Sequence, residues 1–174
     1  MDHPFAVLGL PLRYDIDRET VERAYLSRAA QIHPDLAGDE DEVAVSAAAL
    51  NRAKRVLLND ELRADALLTG LGGPAKEQDK SLPPGFLMEM METREAVESA
   101  IVSGSEGERE KWQRWAVGER GRYRSIVSGL FELNPDAGNL RDVRVQLNAW
   151  RYIERLIEQL DPRYDPARND FENT

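Results

Sequence analysis

Apolar side chains recur every third or fourth position through run after run of this chain, and prolines cut the runs apart at Pro34, Pro83-Pro84, Pro135 and Pro162. This pattern constrains the fold more than any other feature. A residue before proline is pushed out of helical geometry, so each run must end where its proline stands. No strand-like alternation lasts more than a few residues, and no repeat of solenoid length is present. The pattern predicts an all-α protein.

Taken in order, Phe5-Ala6-Val7-Leu8-Gly9-Leu10 predicts one or two helical turns, opened by Pro4 and closed by Gly9. Asp17 reads as the N-cap of a second helix whose apolar stripe is Val21, Tyr25, Ala29 and Ile32, with Leu26 beside it. Pro34 ends that helix at His33. Four acids at 39–42 favour the start of a third helix, over 43–58, with Val45, Ala49, Ala53, Val56 and Leu57 as its buried set. Asn59 or Asp60 caps a short fourth helix, 61–68, which Gly70 stops. The Gly- and Pro-bearing stretch 71–83 reads as a linker. Beyond it, longer helical patterns at about 84–103, 107–133 and 140–160 imply an antiparallel three-helix bundle. The expected organisation is therefore a four-helix unit over 1–70, a linker over 71–83, a bundle over 84–162 and a polar tail over 163–174.

Composition narrows the function. A net charge of −9 across 174 residues argues against a nucleic-acid binder, which needs surplus Lys and Arg to neutralise phosphates. The chain has no cysteine, so disulfides, thiolate metal sites and a cysteine nucleophile are excluded. Its two histidines, His3 and His33, leave no basis for a histidine zinc site. No segment approaches the roughly 18 apolar residues of a membrane span, and the first residues do not form a secretory signal. A cytoplasmic protein without metal or cofactor is expected.

His33-Pro34-Asp35 is the first motif with functional content. Proline after a helix followed by aspartate is also an ordinary turn, so the triplet alone says only that a helix stops. Its setting adds more. It joins two helices that must pack antiparallel, follows a short first helix, and stands with Tyr25 eight residues upstream and Asn51-Arg52-Ala53, Leu58-Asn59-Asp60 and Arg63-Ala64-Asp65 downstream. Over about 1–70 these residues resemble the J domain, the module with which co-chaperones engage DnaK-type chaperones. The resemblance implies that Asp35 offers its carboxylate to a chaperone arginine, that Pro34 stiffens the corner and that His33 orients it; charge-assisted pairs of this kind are directional. There are departures. Leu36 and Leu26 stand where the family places basic residues, and Arg28 where it places a core leucine. Arg23 and Arg28 are the candidate basic contacts, unless they only balance local acids. Acid–base catalysis by His33 and Asp35 lacks an accompanying nucleophile or metal pattern.

The second motif is Pro83-Pro84-Gly85-Phe86-Leu87-Met88-Glu89-Met90-Met91-Glu92-Thr93-Arg94-Glu95. At about 100° per residue, Phe86, Met90, Val97 and Ile101 share a core face about 60° wide. Leu87, Met88 and Met91 fall on a second band with Glu95, bordered by Glu92. Such a band is either a docking surface or the far side of a helix buried twice; methionine suits an adaptable surface. Following a J domain and a short linker, Phe86-Leu87-Met88-Glu89 with Arg94-Glu95 is similar to the HscB family of co-chaperones, which serves iron–sulfur cluster biogenesis. The resemblance extends to about Leu160 and implies a protein that is not an enzyme. Such a protein stimulates the ATPase of a DnaK/HscA-type chaperone and delivers to it the scaffold IscU. It implies client contacts at Leu87, Met88, Met91, Glu92, Glu95 and, on the last helix, Tyr152. A further family glutamate falls at Ser99, which weakens that edge. The cysteine-bearing extension of animal members has no counterpart here, as expected of a bacterial-type protein. A J-domain co-chaperone with another client is the alternative.

Trp112, Trp115, Tyr123 and Trp150, with Val117, Ile126, Val127, Leu130, Leu147, Ile153 and Leu156, are expected in the bundle core or at its junction with the first unit. Lys111, Arg114, Arg120, Arg122 and Arg124 are expected to form a solvated face paired with Glu108, Glu110 and Glu119.

Overall fold

The computed structural model describes residues 3–32, 40–133 and 135–161, and all of its regular structure there is helical. In chain order the helices are α1 (Pro4–Leu8), α2 (Arg18–Ala29), α3 (Glu40–Leu58), α4 (Asp60–Gly70), α5 (Phe86–Val102), α6 (Glu106–Glu132) and α7 (Ala137–Leu160). A 3-10 turn, Ala30–Ile32, extends α2. His33-Pro34-Asp35 and the residues from 162 onward lie outside the described residues.

Local chemistry sets the boundaries. Gly9 adopts a left-handed conformation, φ 66°, that closes α1 through bonds to the carbonyls of Ala6 and Phe5. Asp17 caps α2 by accepting from the Thr20 amide at 2.6 Å, and Asn59 caps α4 by accepting from the Leu62 amide at 3.0 Å. Asp136 does the same for α7, and so begins that helix earlier than its apolar pattern suggests.

The first four helices enclose Phe5, Leu8, Val21, Leu50, Ala53, Leu57, Leu67 and Leu68. Tyr25 ties α2 to α3: its hydroxyl donates to Asn51 Oδ1 at 2.8 Å while Lys54 lies over its ring at 4.6 Å. Arg63 binds the remaining pieces together. Its buried guanidinium donates to the carbonyls of Tyr14 at 3.0 Å and Leu57 at 2.7 Å, pairs with Asp60 at 2.5 Å and lies over the Tyr14 ring. The loop after α1, the end of α3 and the start of α4 thus share one cation.

The buried face of α3 differs from the expected set. Val45 is 71% exposed and Ala49 is exposed, whereas Leu50 is buried with Ala53 and Leu57. At about 100° per residue these last three fall within about 60° of one another, and Val45 points well away from them. With alanine on every side of α3, the apolar pattern gives its direction only weakly; α1 and α2 choose the face.

α7 is the central helix of the second half. It packs on α5, α6 and α4, burying Leu140, Val143, Leu147, Trp150, Ile153, Leu156 and Leu160. The Trp150 indole donates to Glu154 at 2.7 Å, and Glu154 receives both Arg120 donors at 2.8 and 2.5 Å. Tyr123 and Val127 are buried as expected, Trp112 and Trp115 are half-buried, and Val117 is exposed, contrary to expectation. Lys111, Arg114 and Arg122 pair with Glu108, Glu110 and Glu119, but Arg120 reaches α7 and Arg124 reaches Asp60 on α4.

Leu50→Ala and Leu57→Ala should each cost about 2–5 kcal/mol in urea unfolding, whereas Val45→Ala should stay within about 0.5 kcal/mol.

Candidate functional site

The candidate residues among those described lie on two surfaces, with a seam of ion pairs between them. On α2, Arg23 and Arg28 are both exposed. Arg23 leans on its own helix, donating to Thr20 Oγ1 at 3.3 Å and approaching Glu19 at 3.9 Å. The Arg28 guanidinium lies over Gly9, where a Cβ would come within 2.7 Å of its nitrogen. Between them Leu26 is 64% exposed. His33, Pro34 and Asp35, which follow this helix, lie outside the described residues.

The second surface is the outer side of α5. Phe86, Met90 and Val97 are buried and Ile101 is half-buried, as the helical spacing predicts. Leu87, Met88 and Met91 are 55%, 72% and 62% exposed, so the second band is uncovered and not buried against another helix. Glu92 and Glu95 are exposed beside it, and neither is held in an ion pair among the described residues. Tyr152 of α7 is half-buried and meets Phe86 edge to face, ring centroids 5.5 Å apart. Phe86 also meets Tyr123 at 6.5 Å; burial raises the Tyr123 hydroxyl above its ordinary pKa. The aromatic group anchors the start of α5, and thereby the band, to the two other bundle helices. Tyr152 sits on α7 beside the buried face of α5, lining a small cavity with Met90 and Arg94.

The seam joins α4 to the bundle and escaped the sequence reading. Arg144 is 3% exposed; it pairs with Asp65 and donates to the Pro74 carbonyl at 2.9 Å. Arg151 reaches Glu61 at 3.3 Å, and Arg124 reaches Asp60 at 3.5 Å. Residues 71–83 are held to the same helix. Asp79 pairs with Arg141 at 3.1 Å, and Asn148 donates to the carbonyls of Asp79 and Ser81 at 2.9 and 3.0 Å. Hydrogen bonds from Ser81, and secondarily Arg141, hold the Asp79 carboxyl below its usual range. Glu61 goes the other way: burial raises its pKa, and Arg151 offsets this only in part. A visible signal existed. Arg144 sits in the apolar stripe of Leu140, Val143, Leu147 and Trp150, a place where a cation needs a buried partner.

No described helix is long and apolar enough to cross a membrane. The fold is that of a helical hairpin unit followed by a helical bundle with an apolar outer band. Human co-chaperone HscB has a similar structure, with a TM-score of 0.77 over 92% of this chain and 81% of that one at 19% identity. Residues 82–161 match the family model described as HSCB C-terminal oligomerisation domain. The HscB homologue of Azoarcus sp. (strain BH72) is 30% identical over 95% of both chains, and that of Bordetella petrii is 38% identical over 91% of this chain and 94% of the relative. The chain belongs to the HscB family of co-chaperones, which are not enzymes.

The raised Glu61 pKa has a sign that can be tested. Folded protein holds this proton more readily than unfolded protein, so the contribution of Glu61 to stability falls as pH rises through and above the ordinary carboxyl value of 4.5. The stability advantage of wild type over Glu61→Gln should therefore shrink between pH 4 and pH 7 in urea unfolding. An advantage that grows with pH would mean that the pair with Arg151 outweighs desolvation.

Proposed function

We propose that this co-chaperone stimulates ATP hydrolysis by a DnaK/HscA-type chaperone while delivering an IscU-type scaffold to it, in the cytoplasm, during iron–sulfur cluster maturation. Residues 1–70 address the chaperone and 84–162 hold the client, with 71–83 as the connection and 163–174 as a tail. The exposed band on α5 is the observation that carries the reading. Three large apolar side chains stand in solvent on a helix whose opposite face already fills the core, and such a surface calls for a partner.

The chemistry of each end suits its task. Asp35 presents a carboxylate to a chaperone arginine, with His33 and Pro34 holding the corner and Arg23 and Arg28 supplying basic contacts. Since Leu26 is apolar and exposed where the family is basic, the encounter relies less on charge steering than in a typical J domain. On α5, Leu87, Met88 and Met91 pack against the scaffold; the thioether chains adapt to an irregular partner. Glu92 and Glu95 contribute direction along one edge, and Tyr152 extends the contact onto α7. Joining both sites in one chain raises the effective concentration of client at chaperone. No covalent step is needed.

Purified scaffold should bind wild type, and a Leu87→Ala/Met91→Ala variant should bind at least tenfold more weakly while keeping its helicity. His33→Gln or Asp35→Ala should abolish stimulation of chaperone ATP turnover and leave scaffold binding intact. Equal scaffold binding by the apolar variant would remove α5 from the client site, and full stimulation by the triplet variants would remove the J-domain role.

A further inference from the structure

A cavity of about 370 Å³ opens where α4, the 71–83 segment and α7 meet. Its apolar wall is formed by Leu82, Leu147 and the Tyr152 ring, and its cations include Lys80 and Arg155. The acids in this wall are already paired, Glu61 with Arg151 and Asp65 with Arg144. Lys80 and Arg155 are exposed and have no ion-pair partner among the described residues; Lys76 has only its exposed neighbour Glu77 at 3.9 Å. In a chain of net charge −9, a concave site with uncompensated cations is the opposite of the background and fits an anion.

The position of the site indicates which anion. Tyr152 and Arg155 line this cavity and also a smaller one of about 170 Å³ beside Met90 and Arg94 of α5. Moving around α5 away from α7, at about 100° per residue, the side chains met are Arg94, Leu87, Glu98, Met91, then Glu95, Met88 and Glu92, with Arg94 paired to Glu98 at 3.6 Å. The apolar band therefore has an acidic border on its far side, while toward α7 Arg94 is taken up by Glu98 and the cations left without an ion-pair partner among the described residues are Arg155 and Lys80 of the cavity. A chain lying across the band and over Tyr152 arrives next at Arg155 and Lys80. We infer that the junction cavity receives a carboxylate-bearing segment of the same scaffold that docks on α5, and that the cationic cavity on one side of the band and the acids Glu92 and Glu95 on the other fix the direction in which that scaffold lies. This inference rests on the client reading of α5 and adds to it a second contact and a polarity.

Calorimetric titration of purified IscU-type scaffold into the full-length protein tests it. Lys80→Glu/Arg155→Glu should weaken binding by roughly tenfold at low salt, with the gap closing as salt rises, and Lys80→Arg/Arg155→Lys should restore wild-type affinity. Circular dichroism checks that each variant is folded; the altered side chains are exposed. If the charge-reversed protein binds like wild type while Leu87→Ala/Met91→Ala does not, the cavity proposal falls and the α5 site stands. If the apolar variant binds like wild type, or wild type does not bind, both fall. Saturable binding of inorganic phosphate that the reversal abolishes, with scaffold affinity unchanged, would assign the cavity to a small anion and overturn the proposal.

Discussion

Arg144 and Asp65 meet across the junction of α7 and α4, and the arrangement of both halves depends on how that buried guanidinium is satisfied. Taking an arginine to 3% exposure is costly unless its donors are engaged. Here the Asp65 carboxylate and the Pro74 carbonyl engage them from two different parts of the chain. Replacing Asp65 by an apolar side chain would leave the charge buried without its anionic partner. The pairs of Arg151 with Glu61 and Arg124 with Asp60 lie farther out and are partly exposed, so they contribute direction more than stability. Together the three place the acids of α4 against the cations of α6 and α7.

This seam gives physical content to a tether. Were residues 71–83 a free linker, client and chaperone would be held at a concentration set by its length alone. Instead Asn148 and Arg141 hold that segment along α7, and Arg63 welds the loop before α2 and the end of α3 to α4. The geometry from the end of α2 to the α5 band therefore runs through packed helices. Client and chaperone would then be presented in a defined relation, and not merely near each other.

How much was legible in the sequence follows from where the information lies. The two apolar bands of α5 were readable because the helix carries more large apolar residues than one face can hold, but the pattern left open whether the second was buried; Phe86 and Met90 went inward, Leu87 and Met91 outward. The cap at Asp17 was readable because its chemistry is local, and the same local chemistry left Asn59 or Asp60 for α4, of which Asn59 is the cap. The inner face of α3 was not, since alanines on all sides leave its direction to α1 and α2, and Val45 ended in solvent. The seam was hidden for another reason. Arg144 and Asp65 are 79 positions apart, and periodicity carries no record of pairing at that distance. Only the presence of a cation within an apolar stripe hinted at it. Likewise, Arg120 and Arg124 looked like neighbours of nearby glutamates but reach other helices.

The central claim is that one chain couples client arrival to chaperone ATP hydrolysis. Steady-state ATP turnover of the partner chaperone tests it most directly, measured with this protein alone, with the scaffold alone and with both together. The account predicts that turnover with both exceeds the sum of the two separate stimulations several-fold, as expected when two contacts are made by one tethering molecule. Simple addition of the two effects would contradict it.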